Sequence, residues 1–548
     1  MNVKGLFRIF SDYLLMLALF TGIGLAVSIY FQYFVLPVDH PAPHPTEAFL
    51  LTILIAIFAA VCLKILAQGA DKAIHLQEAI LLVVGIWLIT SIIGALPFTL
   101  SGTLDHFIDA WFESVSGLTT TGSSILHPKA YASSGQEIPY HMVYTAFQKI
   151  EYTFYGTVKP VIDATTGQVL LTGIEAVPKA LLFWRSFLHW YGGMGIVLLF
   201  VALLPALGVQ ARALFRYEST GPLFSPLFPK VRQTAIVLLK IYVILTLACL
   251  ISLLVTNPAM SFFDALNISF STISTGGFAP KNTSVGYYNS AWTDYIVLIF
   301  MISGGVNFAL YYDWSKGRFY RLLDPEFLLF LGMIVVFCGI ASWGIYGAKK
   351  VLLTGATNEV YSLADSIRYG SFQVVSCMTN TGFATCDYDH WPAISQTIML
   401  IVMYLGGMAG STSGGLKTIR VFILLKYCRT AISSVFRRNE VQILRVGNRE
   451  IDKETITGVL AFFLVMVLSS IIGILMLLGD GVDIETALGL NGCMINNTGN
   501  AFRVAGPTES CAFMSPFGKT VCIIWMFIGR LEYYAWFALF LPSFWKKC

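Results

Sequence analysis

Charge is what this chain has least of. Only 12% of its 548 residues are Asp, Glu, Lys or Arg, about half the roughly 25% of a soluble domain. A water-soluble multidomain enzyme could not cover its surface with so little polarity. The ten cysteines are scattered, with no CxxC and no regular spacing, which excludes a disulfide framework and a zinc site. There is no GxxxxGK[ST] and no dinucleotide fingerprint in a strand–helix setting, so the chain has no visible means of binding ATP or NAD itself. Its eight histidines stand at no spacing that pairs them on a metal or haem, which argues against a membrane enzyme or respiratory subunit. The net charge of +4 is too small to suggest nucleic acid as a partner. What is abundant is apolar surface: 56% hydrophobic and 14% aromatic residues, far too much for disorder. The composition therefore predicts an all-α integral membrane protein in a lipid bilayer.

A helix crosses the hydrocarbon with about 20 apolar residues, and in lipid only helices or closed barrels satisfy their own backbone. The long runs here predict about ten transmembrane helices, at 13–36, 47–68, 77–100, 178–206, 231–256, 289–313, 325–347, 392–434, 453–479 and 516–543. The first is not expected to be a cleaved signal, because its apolar stretch lacks a small-residue cleavage site near its end. An even number puts both termini on one side. With the termini inside, the inner segments collect Lys4, Arg8, Arg212, Arg216, Arg318, Arg321, Arg437 and Arg438, whereas the outer segment Pro37–Thr46 has no basic residue. That asymmetry predicts cytoplasmic termini.

The outer connections after the third, fifth, seventh and ninth spans share one grammar. Each has a short, moderately apolar segment beginning near an aspartate (Asp109, Asp264, Asp365, Asp483), then a polar-Thr-Gly tripeptide, then another full span. The tripeptides are Thr120-Thr121-Gly122, Ser274-Thr275-Gly276, Asn380-Thr381-Gly382 and Asn497-Thr498-Gly499. The same pattern at Thr165-Thr166-Gly167 and Ser219-Thr220-Gly221 follows no short buried helix, so the context carries the signal. Four helix–pore-loop–helix repeats around a central pore are expected. The chain divides into two N-terminal helices (1–76), a first repeat with a long external loop (77–212), a second (213–322), a third with an intramembrane loop (323–450) and a fourth (451–548).

A bare alkali cation entering a low dielectric needs oxygens in place of its water shell. Main-chain carbonyls supply them without formal charge, so the ion can still leave. The four glycines open backbone conformations closed to other residues and keep a Cβ out of the lumen, and each preceding threonine has a hydroxyl to pin the loop. The aspartates suit caps or first turns of short helices whose partially negative ends then face the cation. Nine residues before three of the glycines stand Glu113, Asn267 and Gln373; the fourth repeat has Leu490 there, with Asn491 one later. These polar side chains are expected to hydrogen-bond the filter backbone and support it.

The eighth span is overlong and interrupted by Gly406, Gly407, Gly410, Ser411, Thr412, Ser413, Gly414 and Gly415. Irregular backbone at membrane depth is tolerated only inside protein or along a water-filled cavity, so a flexible gate under the filter is expected. Arg530, near the middle of the last span, is expected to line the pore and oppose cations. Glu532 is two positions on and faces another side of a helix, which leaves Lys417 or Arg420 as its partner. His189 and Arg185 share one face of the fourth span, where a packing role for the histidine is expected. Cys386 and Cys511 both fall outside and could pair.

The stretches WRSFLHWYGGMGI (Trp184–Ile196), STGGF (Ser274–Phe278), TNTGFATCDYDHWP (Thr379–Pro392), GGMAGSTSGGLKTIR (Gly406–Arg420) and GRLE (Gly529–Glu532) together resemble the TrkH/KtrB/HKT superfamily of potassium-translocating subunits, bacterial TrkH most of all. The likeness covers the chain from the third span onwards, and the two extra N-terminal spans fit TrkH as well. Two departures are visible: the outer loop at about 127–176 is long and polar enough to form a small external cap, and NTGNAF replaces an Asn-Leu-Gly-Pro-Gly type of stretch. The resemblance implies K⁺ as the transported ion, held at the filter residues and preferred over Na⁺, with Rb⁺ accepted, since serine in the first repeat goes with sodium-leaning relatives. It also implies a gating loop at 406–415 in contact with Arg530, a homodimer with one pore per protomer, and a TrkA-type cytoplasmic ring of nucleotide-binding regulatory subunits. A bacterial inner membrane is the expected location. Inward movement can be driven by the membrane potential, about 2.3 kcal/mol per charge per 100 mV; symport with Na⁺ or H⁺ is the alternative.

Overall fold

The computed structural model describes residues 2–36, 41–69, 76–132, 134–145, 149–163, 166–195, 231–436, 444–447 and 449–546. Helices carry the architecture. An N-terminal pair, α1 (Val3–Tyr33) and α2 (Thr46–Leu66), precedes four units. The first is α3 (Leu76–Leu100), the short α4 (Phe107–Leu118) and α5 (Lys179–Gly193); the second is α6 (Val231–Thr256), the short α7 (Phe262–Ile273) and the pair α8 (Ala291–Gly305) and α9 (Phe308–Ser315). The third is α10 (Pro325–Ile345), α11 (Leu363–Met378), α12 (Ala393–Tyr404) and α13 (Thr418–Phe436); the fourth is α14 (Lys453–Gly479), α15 (Ile484–Asn496), α16 (Pro516–Arg530) and α17 (Tyr534–Ala538).

Among the described residues, six helices (α1, α2, α3, α6, α10 and α14) are long and apolar enough to cross a membrane, or seven with the bent pair α8–α9 counted as one span. Apolar side chains on their outer faces, such as Leu19, Phe58 and Val255, are more than two-thirds exposed, as helices that are hydrophobic all round become only when lipid is their solvent.

Three expected spans take a different form. The stretch 289–313 is bent by 95° between α8 and α9, because the glycine pair 304–305 weakens the last turn, Val306 is extended, and Asn307 starts a new helix by accepting from the Ala309 N–H. The stretch 392–434 is split by the non-helical residues 405–417 between α12 and α13. The last span stops as a continuous helix at Arg530, since Glu532 and Tyr533 have φ of 53° and 64°, a left-handed conformation no α-helix accommodates. Arg530 is therefore a helix-terminal residue and not a mid-span one. Of the expected fourth span, 179–195 is described; its remainder, with Arg212, Arg216 and the 212/213 boundary, lies outside the described residues, as do Arg437 and Arg438.

The four short helices begin for identifiable reasons. Ser261 caps α7 through the Asp264 N–H, Ser362 and Asp365 form a reciprocal capping box on α11, and Asp483 accepts from the first-turn amides of α15, each satisfying donors the helix leaves open. The start of α4 has no such cap; its first-turn Asp109 instead takes the ammonium of Lys519 from α16 at 2.6 Å. Each short helix packs against both long helices of its own unit and one of the preceding unit. α7 touches α5, α11 touches α8, α15 touches α12, and α4 touches α16. The last contact closes the four units into a ring. Phe112, Val115, Ile268, Phe372 and Leu490 are fully buried within it.

The stretch at about 127–176, expected to form a small external cap, folds into paired strands. An antiparallel hairpin pairs Tyr140–Thr145 with Lys149–Phe154, and its apolar face (Tyr152, Phe154) packs on Val504 and Ala512. Two phenols seat it on the start of α15: Tyr152 donates to Asp483 at 2.8 Å and Tyr144 to Glu485 at 2.7 Å. Cys386 and Cys511 are both buried free thiols, so they do not pair.

Candidate functional site

Each short helix ends in the same backbone turn. A residue with φ near +55° (Thr120, Thr275, Asn380, Asn497) is followed two positions later by a glycine with φ between +83° and +93° (Gly122, Gly277, Gly382, Gly499). The residue between them donates its N–H five positions back: Thr121 to Ser116, Gly276 to Ser271, Thr381 to Ser376 and Thr498 to Cys493, all at 2.8–2.9 Å. Two independent geometric markers thus align the four loops. They correct the second repeat by one residue: the loop glycine is Gly277, and Gly276 corresponds to Thr121. Ser274 falls at the helix end and bonds Ser271, with Thr275 taking the first left-handed position.

The loops meet in a closed cycle. A Cβ added to Gly122 would lie 2.1 Å from the Gly276 carbonyl oxygen; on Gly277, 2.1 Å from that of Thr381; on Gly382, 2.2 Å from that of Thr498; on Gly499, 2.7 Å from that of Thr121. Only glycine permits this approach, at these φ values, on all four loops. Among the described residues, the carbonyls of Thr121, Gly276, Thr381 and Thr498 accept no hydrogen bond. Buried main-chain carbonyls are nearly always paired, so four together, one from each loop, form an oxygen-rich ring suited to a desolvated cation.

The supporting side chains divide unevenly. Glu113, fully buried, accepts from the Ile125 N–H at 2.9 Å, three residues beyond Gly122. It is paired at 2.5 Å with Arg185, itself 2% exposed. Arg185 also reaches Ser124 and the Ala279 carbonyl and stacks 3.7 Å over the Phe278 ring, so one buried ion pair braces the first two loops. Gln373 donates to the Cys386 carbonyl at 3.3 Å, past the third loop. Asn267 does not reach its loop; it donates to the Phe263 carbonyl one turn back in its own helix, and its Oδ1 has no partner among the described residues. The reason is the register: counted from Gly277, the position equivalent to Glu113 and Gln373 is Ile268. Asn491 faces Tyr404 instead.

His189 does more than pack. Its Nδ1 lies 2.6 Å from the Gly117 carbonyl and its Nε2 accepts from the Phe278 N–H at 3.2 Å, which fixes the Nδ1–H tautomer and joins the first short helix to the second loop. A Cβ on Gly276 would meet this imidazole at 2.4 Å. The second loop therefore carries glycine where the other three carry threonine. The Gly-Gly doublet and an arginine in an apolar span are the signals from which Gly277 and Arg185 could have been read; nothing in the sequence pointed to His189 as a bridge.

Beneath the ring runs the irregular segment 405–417. Thr412 donates to the Ile273 carbonyl at 3.0 Å and sits 3.2 Å from the Thr275 hydroxyl. Ser413 donates to Asn380 Oδ1 at 2.7 Å. Gly414 abuts the Asn496 carbonyl so closely that a Cβ would fall 2.4 Å from it, and Gly406, Gly407 and Gly415 would clash likewise at 2.2–2.7 Å with neighbouring carbonyls. Gly410 is left-handed, and its carbonyl accepts from Phe308 at the α8–α9 bend; Ser411 caps back to Met408. Arg530 donates to the Thr412 carbonyl at 2.9 Å and to the Gly192 carbonyl at 2.8 Å, straddling this segment and the end of α5. Glu532 pairs with Arg420, whereas Lys417 donates to the Ser413 carbonyl.

Four units with short half-helices, an oxygen-lined ring at their centre and an apolar outer surface define a multi-pass α-helical membrane transport protein. The comparisons with known proteins agree. The family model of TrkH, a cation transport protein, matches residues 162–547. The Trk system potassium uptake protein TrkH of Salmonella typhimurium is 35% identical over 480 residues, 86% of each chain, and that of Escherichia coli K12 is 34% identical over 479 residues, again 86% of each. The crystal structure of the potassium transporter TrkH from Vibrio parahaemolyticus superposes with a TM-score of 0.77 at 26% identity, covering all of both chains. The chain belongs to the TrkH family.

Proposed function

We propose that this chain is the pore subunit of a K⁺ uptake system and that the carbonyl ring is its selectivity filter. The observation that carries this reading is the cycle of four glycines, each pressed against an unpaired carbonyl of the next loop. Such a ring replaces a hydration shell without adding formal charge, so the ion is bound weakly enough to leave. K⁺ is favoured over Na⁺ and Rb⁺ is accepted. The names of the relatives, potassium uptake proteins throughout, support the choice of ion.

The segment 406–415 is the gate. It is packed on the ends of two short helices and tethered by Arg530, whose fixed positive charge opposes cations leaving the ring inward. Entry is driven by the membrane potential through a channel-like path in a bacterial inner membrane, with both termini cytoplasmic. A homodimer, each protomer with its own pore, and a TrkA-type nucleotide-binding ring on the cytoplasmic face complete the assembly; the chain itself binds neither ATP nor NAD. The repeats are taken to begin at 77, 213, 323 and 451.

The test is flux in proteoliposomes. Gly122→Ser forces a side chain against the Gly276 carbonyl and is expected to erode the K⁺ preference; an unchanged K⁺/Na⁺ flux ratio refutes the filter. Single-channel currents reversing at the K⁺ equilibrium potential support a channel, whereas strict dependence on a second ion's gradient establishes symport with Na⁺ or H⁺ in its place.

A further inference from the structure

The four left-handed residues that open the filter loops are not equivalent in what their side chains do. Thr120 has no amide to offer. Thr275 turns its hydroxyl to Thr412. Asn497 donates to the Thr121 hydroxyl of the first loop at 2.9 Å and to the Met526 carbonyl of α16 at 3.0 Å, two contacts with the filter and with a regular helix. Asn380 alone spans two different systems. Its Nδ2 donates to the Thr498 hydroxyl of the fourth loop at 3.0 Å, while its Oδ1 accepts from Ser413 of the segment beneath at 2.7 Å. The same Nδ2 lies 3.4 Å from the Leu405 carbonyl, at the base of that segment. All three residues Asn380, Ser413 and Thr498 are at most 2% exposed.

The junction that Asn380 reaches is closely packed: Gly382 approaches the Thr498 carbonyl where a Cβ would lie at 2.2 Å. An amide is planar and rigid, so its two ends cannot be moved independently. If Ser413 withdraws, the amide loses the acceptor contact that sets its plane, and the Thr498 hydroxyl loses a fixed donor. The third-to-fourth junction then loosens, and with it the spacing of two of the four carbonyls. Coupling of this kind is reciprocal for binding equilibria, so a cation that tightens the junction also holds the segment in place.

Resting on the filter reading above, we propose that Asn380 is a positioning and specificity-determining residue, whose single amide makes the cation preference of the filter depend on the position of the 406–415 segment. Selectivity is thereby a property of the gate state as well as of the glycines.

The experiment compares K⁺ and Na⁺ flux through the full-length protein in proteoliposomes for the wild type, Ser413→Ala, Thr498→Val and the double variant, all of which retain Asn380. Ser413→Ala touches no atom of the ring, yet it is expected to shift the K⁺/Na⁺ ratio by roughly fivefold, the worth of one buried hydrogen bond. The two single effects on the ratio are expected to be strongly non-additive, because either substitution releases the same amide. Asn380→Ser, which keeps a small polar group but cannot span both partners, is expected to reproduce the double variant, and adding Ser413→Ala to it is expected to change the ratio no further. Strictly additive effects, or a Ser413→Ala ratio equal to that of the wild type, overturn the proposal. A wild-type protein that shows no K⁺ preference at all overturns the filter reading itself, which keeps the two failures apart.

Discussion

The one-residue correction in the second repeat gives a sharp prediction, because Gly276 and Gly277 exclude a side chain for different reasons. Gly277 has φ +87° and a prospective Cβ 2.1 Å from the Thr381 backbone oxygen. An alanine there must adopt a left-handed conformation, at about 1–2 kcal/mol, and push a carbonyl of the ring back by roughly 1 Å, an overpacking cost of about 1–3 kcal/mol. Gly276 carries no positive φ, and its obstacle is the His189 imidazole at 2.4 Å. The double-mutant cycle follows directly. Gly277→Ala is expected to cost about 2–5 kcal/mol and to lower K⁺ over Na⁺ discrimination whether or not His189 is present. Gly276→Ala is expected to be damaging in the wild type but to add less than about 1 kcal/mol once His189→Ala has emptied the space. Thermal unfolding in detergent reads the stability, and Rb⁺ uptake into proteoliposomes under Na⁺ competition reads the filter. If Gly276→Ala remained just as harmful beside His189→Ala while Gly277→Ala was tolerated, the loop register drawn from the backbone would be wrong.

Three further outcomes are expected. Arg185→Gln leaves the fully buried Glu113 carboxylate without its cation, and removing one partner of a buried pair costs about 3–5 kcal/mol; a melting temperature within a degree of the wild type would count against the brace. Arg530→Gln removes the guanidinium that ties the Thr412 and Gly192 carbonyls and is expected to raise cation flux, so unaltered conduction would remove both its tethering and its barrier role. In the segment between α15 and α16, burial, with Asp387 adding repulsion, pushes the Glu509 carboxyl up to about 7. Because that value is raised above the ordinary one, the group's contribution to stability is full below about pH 4.5 and is lost as pH rises through about 7. Glu509→Gln is expected to flatten the melting temperature over that window relative to the wild type, and parallel curves would show that Glu509 does not titrate there.

Much of this architecture was legible because it repeats. A short apolar segment ending in a Thr-Gly loop is ambiguous once and informative four times, and the glycine-serine run marked the broken eighth span. What the sequence could not convey depended on contacts rather than on local pattern. The Ser-Thr-Gly-Gly stretch offers two glycines, and the backbone decides between them, through the left-handed φ of Gly277 and the bond from Gly276 to Ser271; counting from the wrong one placed Asn267 beside the loop when it is turned into its own helix. The bend after Gly305 lies in a run apolar enough to continue straight, and it is made by Asn307 capping a second helix. Arg530 read as a mid-span charge because the apolar residues beyond it hid the two left-handed residues that end the helix. Lys519 is 410 residues from Asp109, a separation no spacing argument can bridge.

The contacts of the Tyr140–Phe154 hairpin have a consequence for how the molecule assembles. Peptide linkages join the first unit to the second, the second to the third and the third to the fourth, but no covalent link joins the fourth back to the first. That seam is where Lys519 meets Asp109, where Ser123 donates to the Gly499 carbonyl, and where the Tyr140–Phe154 hairpin clasps Asp483 and Glu485. The hairpin is synthesised early, with the first unit, and its binding surface emerges only with the last. The chain thus carries a clasp that stays open through most of translation and fastens when the final unit arrives, so a truncation before Asp483 would leave three quadrants formed and the circle unsealed.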